Sequence, residues 1–233
     1  MQIFKFLLVF AFIAFSGLLY YSRVDNTLTN EDKKYINKIL EENNIKKYTG
    51  KSYKEEIIFI EQTLDAIYTV APSGVGIAMN RTREVKDLYE LKIGACFDKA
   101  RVLEKVFNNN GFKTRRVALY VRKGSYIKSM LTPNILSHAQ TEVLTKKGWV
   151  VLGTYEKWIS LDKNNLPYSA NMINYNYKKI NWKYDVPFNL NGLYVYDNNI
   201  LVYGLYSRHG KFYPPYNFVP DIEYNEFLDN FIN

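Results

Sequence analysis

The chain has 233 residues, 47% apolar and 16% aromatic, enough for one ordinary core and too few for two large domains. A single cysteine excludes an intrachain disulfide and any zinc site built on CxxC pairs, and two histidines are too few for a His-rich metal cage. The net charge of +8 comes from lysines scattered among plentiful Asn, Ile and Tyr, without the clustered patch that marks nucleic-acid binding, so no nucleic-acid partner is expected.

In chain order, Phe6 to Tyr21 reads FLLVFAFIAFSGLLYY, and the run reaches back to Ile3 if Lys5 snorkels toward head groups. A spanning helix needs about 20 apolar residues, and Tyr20 and Tyr21 stand where an aromatic belt belongs. The alternative is a cleaved signal, with Lys5 as its basic region and Phe6 to Phe15 as its apolar region. No small-x-small cleavage site follows, which favours a retained anchor over residues 1–23. Lys5 before the span and Arg23, Lys33 and Lys34 after it leave the basic-residue bias undecided. A short N-terminal tail predicts a single-pass anchor with the following domain exported, periplasmic or extracellular.

Residues 24–52 are polar and read as a helical spacer, with Thr29 or Asn30 as cap and Tyr35, Ile36, Ile39 and Leu40 at helical spacing. The main domain is expected over 53–233. A helix runs from Tyr53 to Val70 and is stopped by Ala71-Pro72-Ser73-Gly74, and a short one is predicted over Thr82–Leu91. Cys96 to Asn109 carries Phe97, Ala100, Leu103 and Phe107 on one stripe, with Asn110-Gly111 as its stop. Strands are predicted over Arg116–Val121, Ser137–Leu144 and Trp149–Leu152, the last two joined by the turn at 145–148. Beyond Asp162 the chain is rich in Asn, Tyr and Pro. Short strands are expected at Leu193–Tyr196 and Ile200–Leu205, and a closing helix at Glu223–Phe231. Helices first and strands after predict an α+β domain.

The single thiol stands at the start of its predicted helix, where unpaired N–H groups and the positive dipole end favour a thiolate and can hold an oxyanion. A free cysteine is also often simply a small buried apolar residue. A thiolate nucleophile needs an imidazole. His138 sits at the head of a strand, whereas His209, in Ser207-Arg208-His209-Gly210, reads as an exposed turn, which favours His138.

Three stretches together resemble the bacterial transglutaminase-like superfamily. Gly94-Ala95-Cys96-Phe97-Asp98-Lys99-Ala100 resembles its G-x-C-x-D-x-A nucleophile motif. Gly111 to Val117 resembles its glycine-hydrophobic…R-x-V lead into the first strand. His138-Ala139-Gln140-Thr141-Glu142-Val143, followed by Gly148-Trp149, resembles its H-A-x-x-E-V…G-W segment. The resemblance covers about residues 84–165. It implies a papain-like α+β core in which a nucleophile helix packs on an antiparallel sheet, with Cys96 as nucleophile and His138 as base. It implies no cofactor and no metal, and a protein, peptide or peptidoglycan/glycan-linked amide as substrate, although members without known activity also exist.

The sequence departs from the family at the third catalytic position. An aspartate is expected four residues after the strand tryptophan, and Trp149 plus four is Gly153. Gln140, beside that position on the face of His138, and Asp162, which repeats the W-x-x-x-D spacing after Trp158, are the candidates to orient the imidazole. Glu142 shares the face but lies about 13 Å along the strand from His138, too far for a hydrogen bond. A thiol acyltransferase or amide hydrolase and an inactive binding scaffold therefore both remain open.

Overall fold

Capping residues and apolar periodicity set the helices of the computed structural model, which describes residues 2–78, 81–130, 132, 135–186, 199–206 and 221–232. Helix α1 (Gln2–Ser22) is apolar all round but for Lys5, and is exposed from Lys5 to Tyr21, with Ser22 buried against the domain. Its 21 residues rise about 31 Å, and Lys5–Ser22 has a mean hydropathy of 1.7, so it is long and apolar enough to cross a membrane.

Helix α2 (Asn30–Glu42) opens on a capping box: the Thr29 hydroxyl accepts from the Asp32 N–H at 3.0 Å, and the Asp32 carboxylate accepts from the Thr29 N–H at 2.9 Å. Read as a spacer in the sequence, this segment packs Tyr35, Ile36, Ile39 and Leu40 into the same core as the helices that follow. Helix α3 (Tyr53–Val70) has the bounds its spacing predicts, capped by Ser52. Helix α4 (Val85–Leu91) starts three residues later than expected, because Arg83 takes a left-handed φ of 58° and Thr82 is spent as a donor to Asp87. Helix α5 (Cys96–Asn109) also has its predicted bounds, and Gly111 takes the positive φ of 82° that its stop requires.

The main sheet is antiparallel in the order β3-β2-β1-β4: β1 is Thr114–Val121, β2 is Ser137–Thr145, β3 is Gly148–Leu152 and β4 is Asn199–Tyr203. Strand β1 begins two residues before its alternation does, because Thr114 and Arg115 pair with Val143 and Glu142. The expected strand over 200–205 breaks at Gly204, whose φ of 74° turns the chain into β5 (Leu205–Tyr206). That strand pairs with β6 (Asp221–Ile222), after which α8 (Tyr224–Ile232) closes the fold. Helices α6 (Tyr126–Met130) and α7 (Ala170–Asn176) are too short to show a periodicity in sequence. The strand expected at Leu193–Tyr196 lies outside the described residues.

The architecture is α+β, with the cysteine helix packed on an antiparallel sheet as expected. One sheet face sends Val143, Val150 and Leu152 into the core shared with α2, α3 and α5. The opposite face packs Val117, Leu119, Val151 and Tyr203 on Trp158 and α7. Alternation along β2 divides it between these layers: Thr141 donates to the Ala100 carbonyl of α5 at 3.0 Å, while the Glu142 carboxylate accepts from the Ala170 N–H of α7.

Candidate active site

The cysteine motif divides into framework and chemistry. A Cβ at Gly94 would sit 3.0 Å from Leu88 Cδ1 and 3.4 Å from Asp98 Cβ, so glycine lets the loop reach the helix start without displacing the Leu88 side chain. Asp98, buried in the first turn of α5, accepts from the Ala95 N–H at 2.9 Å and the Ile77 N–H at 3.1 Å, with Arg83 Nε at 3.5 Å. It clamps the loop that presents the thiol and is itself no reactant. Lys99 is buried with its ammonium 4.3 Å from the Tyr68 ring centroid, and burial pulls its amine below the usual range. Ala100, with no exposure, seats the helix against β2.

What remains is Cys96, the first residue of α5, partly exposed at the mouth of a cavity of about 140 Å³. Cys96 and Phe97 from α5, Arg116 and Tyr120 from β1, and His138 and Ala139 from β2 line it. That space admits a reacting group and a few waters, not a whole ligand. Burial pushes the Cys96 thiol up, while the N–H groups of Ala139 and Phe97, turned toward the sulfur, and the Arg116 guanidinium pull it down. Arg116 is held in place by Glu104, with Nε–Oε1 2.6 Å and Nη2–Oε2 3.1 Å.

His138 is 6% exposed and its Nε2 is buried without a hydrogen-bond partner among the described residues. Burial alone pulls its pKa to about 4, so the imidazole is neutral at pH 7. Among the described residues no hydrogen bond joins the sulfur to either ring nitrogen. Both residues line the cavity, but His138 pairs with Leu119, and alternation along β2 turns its side chain to the Gln140–Glu142 face, away from the face on which α5 lies.

A base whose folded pKa lies below its unfolded value of about 6.5 takes up fewer protons when folded, so stability falls as pH drops through that window. Between pH 6.5 and 4 His138 is expected to withdraw about 3 kcal/mol. Denaturation midpoints of wild type and His138→Gln should converge as the pH falls to 4. Parallel pH curves for the two proteins would refute the assignment.

The sequence offered two groups to steer that imidazole, Gln140 and Asp162, and neither lines the cavity. Gln140 is fully buried on β2, on the same face as His138 and Glu142. Asp162 is committed to a turn: its Oδ1 accepts from the N–H groups of Asn164 and Leu166, both at 2.8 Å. Glu142 is a framework residue, its Oε2 lying 2.5 Å from Arg115 Nε. Gly153 lies one step past the paired residues Thr141 and Leu152, beside Gln140 as expected. Its side-chain space is filled: a Cβ there would lie 2.3 Å from the Glu156 carbonyl oxygen and 3.2 Å from Trp158. Instead of an empty place for a carboxylate, the 153–158 turn occupies it, pinned by the Gly153 N–H donating to the Trp158 carbonyl at 2.7 Å.

Arg116 and Tyr120 are cavity residues that sequence reading did not single out. Their signal is the alternation of Arg116, Ala118 and Tyr120 along β1, which acquires meaning only once β2 is known to pair beside it. Arg208 and His209 lie outside the described residues.

No family model matches the chain, and no curated protein does. Among solved structures it is similar to a TGase, at 14% identity and a TM-score of 0.36 over 61% of this chain and 37% of that one. It is also similar to a candidate cysteine protease from Cytophaga hutchinsonii, at 15% identity and a TM-score of 0.35 over 63% and 48%. The chain thus spans well under two thirds of the length of either. At such identities and scores the functional reading stands on the chain's own residues.

Proposed function

We propose that the chain is a membrane-anchored, transglutaminase-like thiol domain working on amides at the cell envelope, with Cys96 as nucleophile and His138 as base. Cys96 Sγ attacks the carbonyl carbon, and its proton passes to the imidazole and then to the departing amine as the C–N bond breaks. Water or a second amine then takes the acyl group from sulfur, returning the proton to Cys96. Protein, peptide and peptidoglycan-linked amides are the substrates that an exported domain tethered by α1 would meet.

What supports this reading is proximity in the fold: Cys96 at the start of α5 and His138 at the head of β2 both line one small cavity, with two backbone N–H groups turned toward the sulfur. Separately each group resists its charged form. Transfer of the thiol proton to the imidazole requires the His138 side chain to turn to the α5 face of the sheet, where each charge offsets the other's desolvation.

Iodoacetamide labelling of Cys96 at pH 7 tests it. The proposal expects fast alkylation that falls about tenfold or more in His138→Ala, since an unassisted thiol is mostly protonated at that pH. Slow alkylation at the same rate in both proteins would instead support the second reading, an inert binding scaffold. The partnerless Nε2 of His138 and the filled space at Gly153 are the observations that favour that alternative.

A further inference from the structure

Helix α8 turns its longer apolar stripe outward. Tyr224, Leu228, Phe231 and Ile232 recur at i, i+4, i+7 and i+8, one continuous stripe. Leu228, Phe231 and Ile232 are 53%, 74% and 77% exposed. The opposite face packs Phe227 against the core and is otherwise polar and bonded to the domain. Glu226 accepts from the Arg116 N–H at 2.8 Å, Asp229 Oδ2 lies 2.7 Å from Arg115 Nη1, and Asn230 takes both the N–H and the carbonyl of Tyr203. A helix packed on a water-soluble domain turns its apolar stripe inward. Here inward-facing carboxylates and an amide hold the helix in the orientation that directs its stripe away from the domain.

The start of that stripe is fastened to the end of the apolar helix. Tyr224 Oη donates to the Leu19 carbonyl of α1 at 2.9 Å and meets Ser22 Oγ at 2.5 Å. The Val24 N–H donates to the Ile222 carbonyl at 3.0 Å, and Arg23 bridges Ile222. The last turn of α1 carries Tyr20 and Tyr21, 83% and 60% exposed, the pair suited to the head-group boundary. The first turn of α8 therefore stands at the level where α1 leaves the bilayer.

We infer that α8 is an interfacial helix, its Leu228–Phe231–Ile232 stripe inserted into the head-group and upper acyl region of the membrane that α1 crosses. The inference rests on the reading of α1 as a retained anchor. It adds a second attachment point, one that fixes the attitude of the domain to the lipid surface and not only its distance from it. Insertion of a few large apolar side chains along one face is the mode by which short amphipathic helices lie in the interface plane. The exposed apolar patch at the membrane junction is thereby covered by lipid.

The full chain with Cys96→Ser, carrying an environment-sensitive fluorophore at Phe231→Cys or at Phe10→Cys, is reconstituted in phosphatidylcholine vesicles. These contain lipids with a nitroxide either high or low on the acyl chain. Phe231 is mostly exposed, so its replacement leaves the fold undisturbed. The expected result is a blue-shifted Phe231→Cys probe that loses emission chiefly to the shallow nitroxide, and a Phe10→Cys probe that loses emission chiefly to the deep one. Quenching at Phe10→Cys with none at Phe231→Cys overturns the interfacial helix and leaves the anchor standing. A blue shift at Phe231→Cys without lipid quenching overturns it in favour of contact with a second copy. Absence of quenching at both positions overturns the anchor and this inference with it.

Discussion

Gly153→Asp, the substitution that puts a carboxylate where the transglutaminase-like resemblance implies one, is expected to destabilise the protein by about 3 kcal/mol or more and to leave Cys96 no more reactive. The backbone determines this. An added Cβ would meet the Glu156 carbonyl oxygen at 2.3 Å and the Trp158 backbone nitrogen at 3.2 Å. A flexible side chain can step aside from such a contact; a carbonyl whose turn is fixed at both ends cannot. The Gly153 N–H is held by the Trp158 carbonyl, the Thr154 hydroxyl donates to the Ala139 carbonyl, and Trp158, 2% exposed, fills the layer beneath. Gly153→Ala should therefore lose nearly as much as Gly153→Asp, because the obstruction is steric and not electrostatic. Chemical denaturation of the three proteins, read by tryptophan fluorescence, decides it. An aspartate variant as stable as wild type, with faster alkylation of Cys96, would show that the turn yields and that the site can be completed by one residue.

Glu142→Ala is expected to lose about 3–5 kcal/mol, the usual consequence of removing one partner from a buried ion pair. Glu142 has no exposure, and its two oxygens join three elements: Oε2 lies 2.5 Å from Arg115 Nε on β1, and Oε1 accepts from the Ala170 N–H at the start of α7. Arg115 lies between the Trp149 and Tyr203 rings, 4.2 and 4.0 Å from their centroids, and reaches Asp229 on α8 at 2.7 Å. Without Glu142 a 4% exposed guanidinium keeps only the half-buried Asp229, and an amide N–H loses its acceptor. Glu142→Gln should lose less, since the amide oxygen still serves Ala170. Removing both charges, in Glu142→Leu with Arg115→Met, should recover part of the loss, because it is the stranded charge that is expensive. Equal stability of Glu142→Ala and wild type would refute the account. The glutamate of the H-A-x-x-E-V segment is thus a structural tie, which explains its presence on the face of His138 at a distance that rules out contact.

Element boundaries were legible where local chemistry draws them. Ala71-Pro72 after α3 and Asn110-Gly111 after α5 are signals confined to a few residues, and both helices end where those signals place their stops. Boundaries drawn by distant partners were not legible. Thr114 and Arg115 belong to β1 because β2 lies beside them, and the strand after Asn199 breaks because Gly204 must pass the backbone of Glu223 and Phe227, both within 2.6 Å of any Cβ placed there. Helix α2 reads as a spacer because its polar positions dominate, yet its short apolar stripe and the Asp32–Lys105 pair at 2.8 Å tie it to α5.

By itself the sequence determined the class of fold, the position of the lone thiol at a helix start, the imidazole at the head of a strand, and an N-terminal helix able to cross a membrane. Each follows from periodicity, punctuation or composition, which act over a few residues. Only the tertiary structure decided that Cys96 and His138 line one cavity with the imidazole turned to the other sheet face, that Asp162 is spent on a turn, that the space beside Gly153 is closed, and that α8 turns an apolar stripe outward beside the end of α1. These are relations between residues tens to hundreds of positions apart, set by strand register and by which buried polar groups find partners, and no local pattern encodes them.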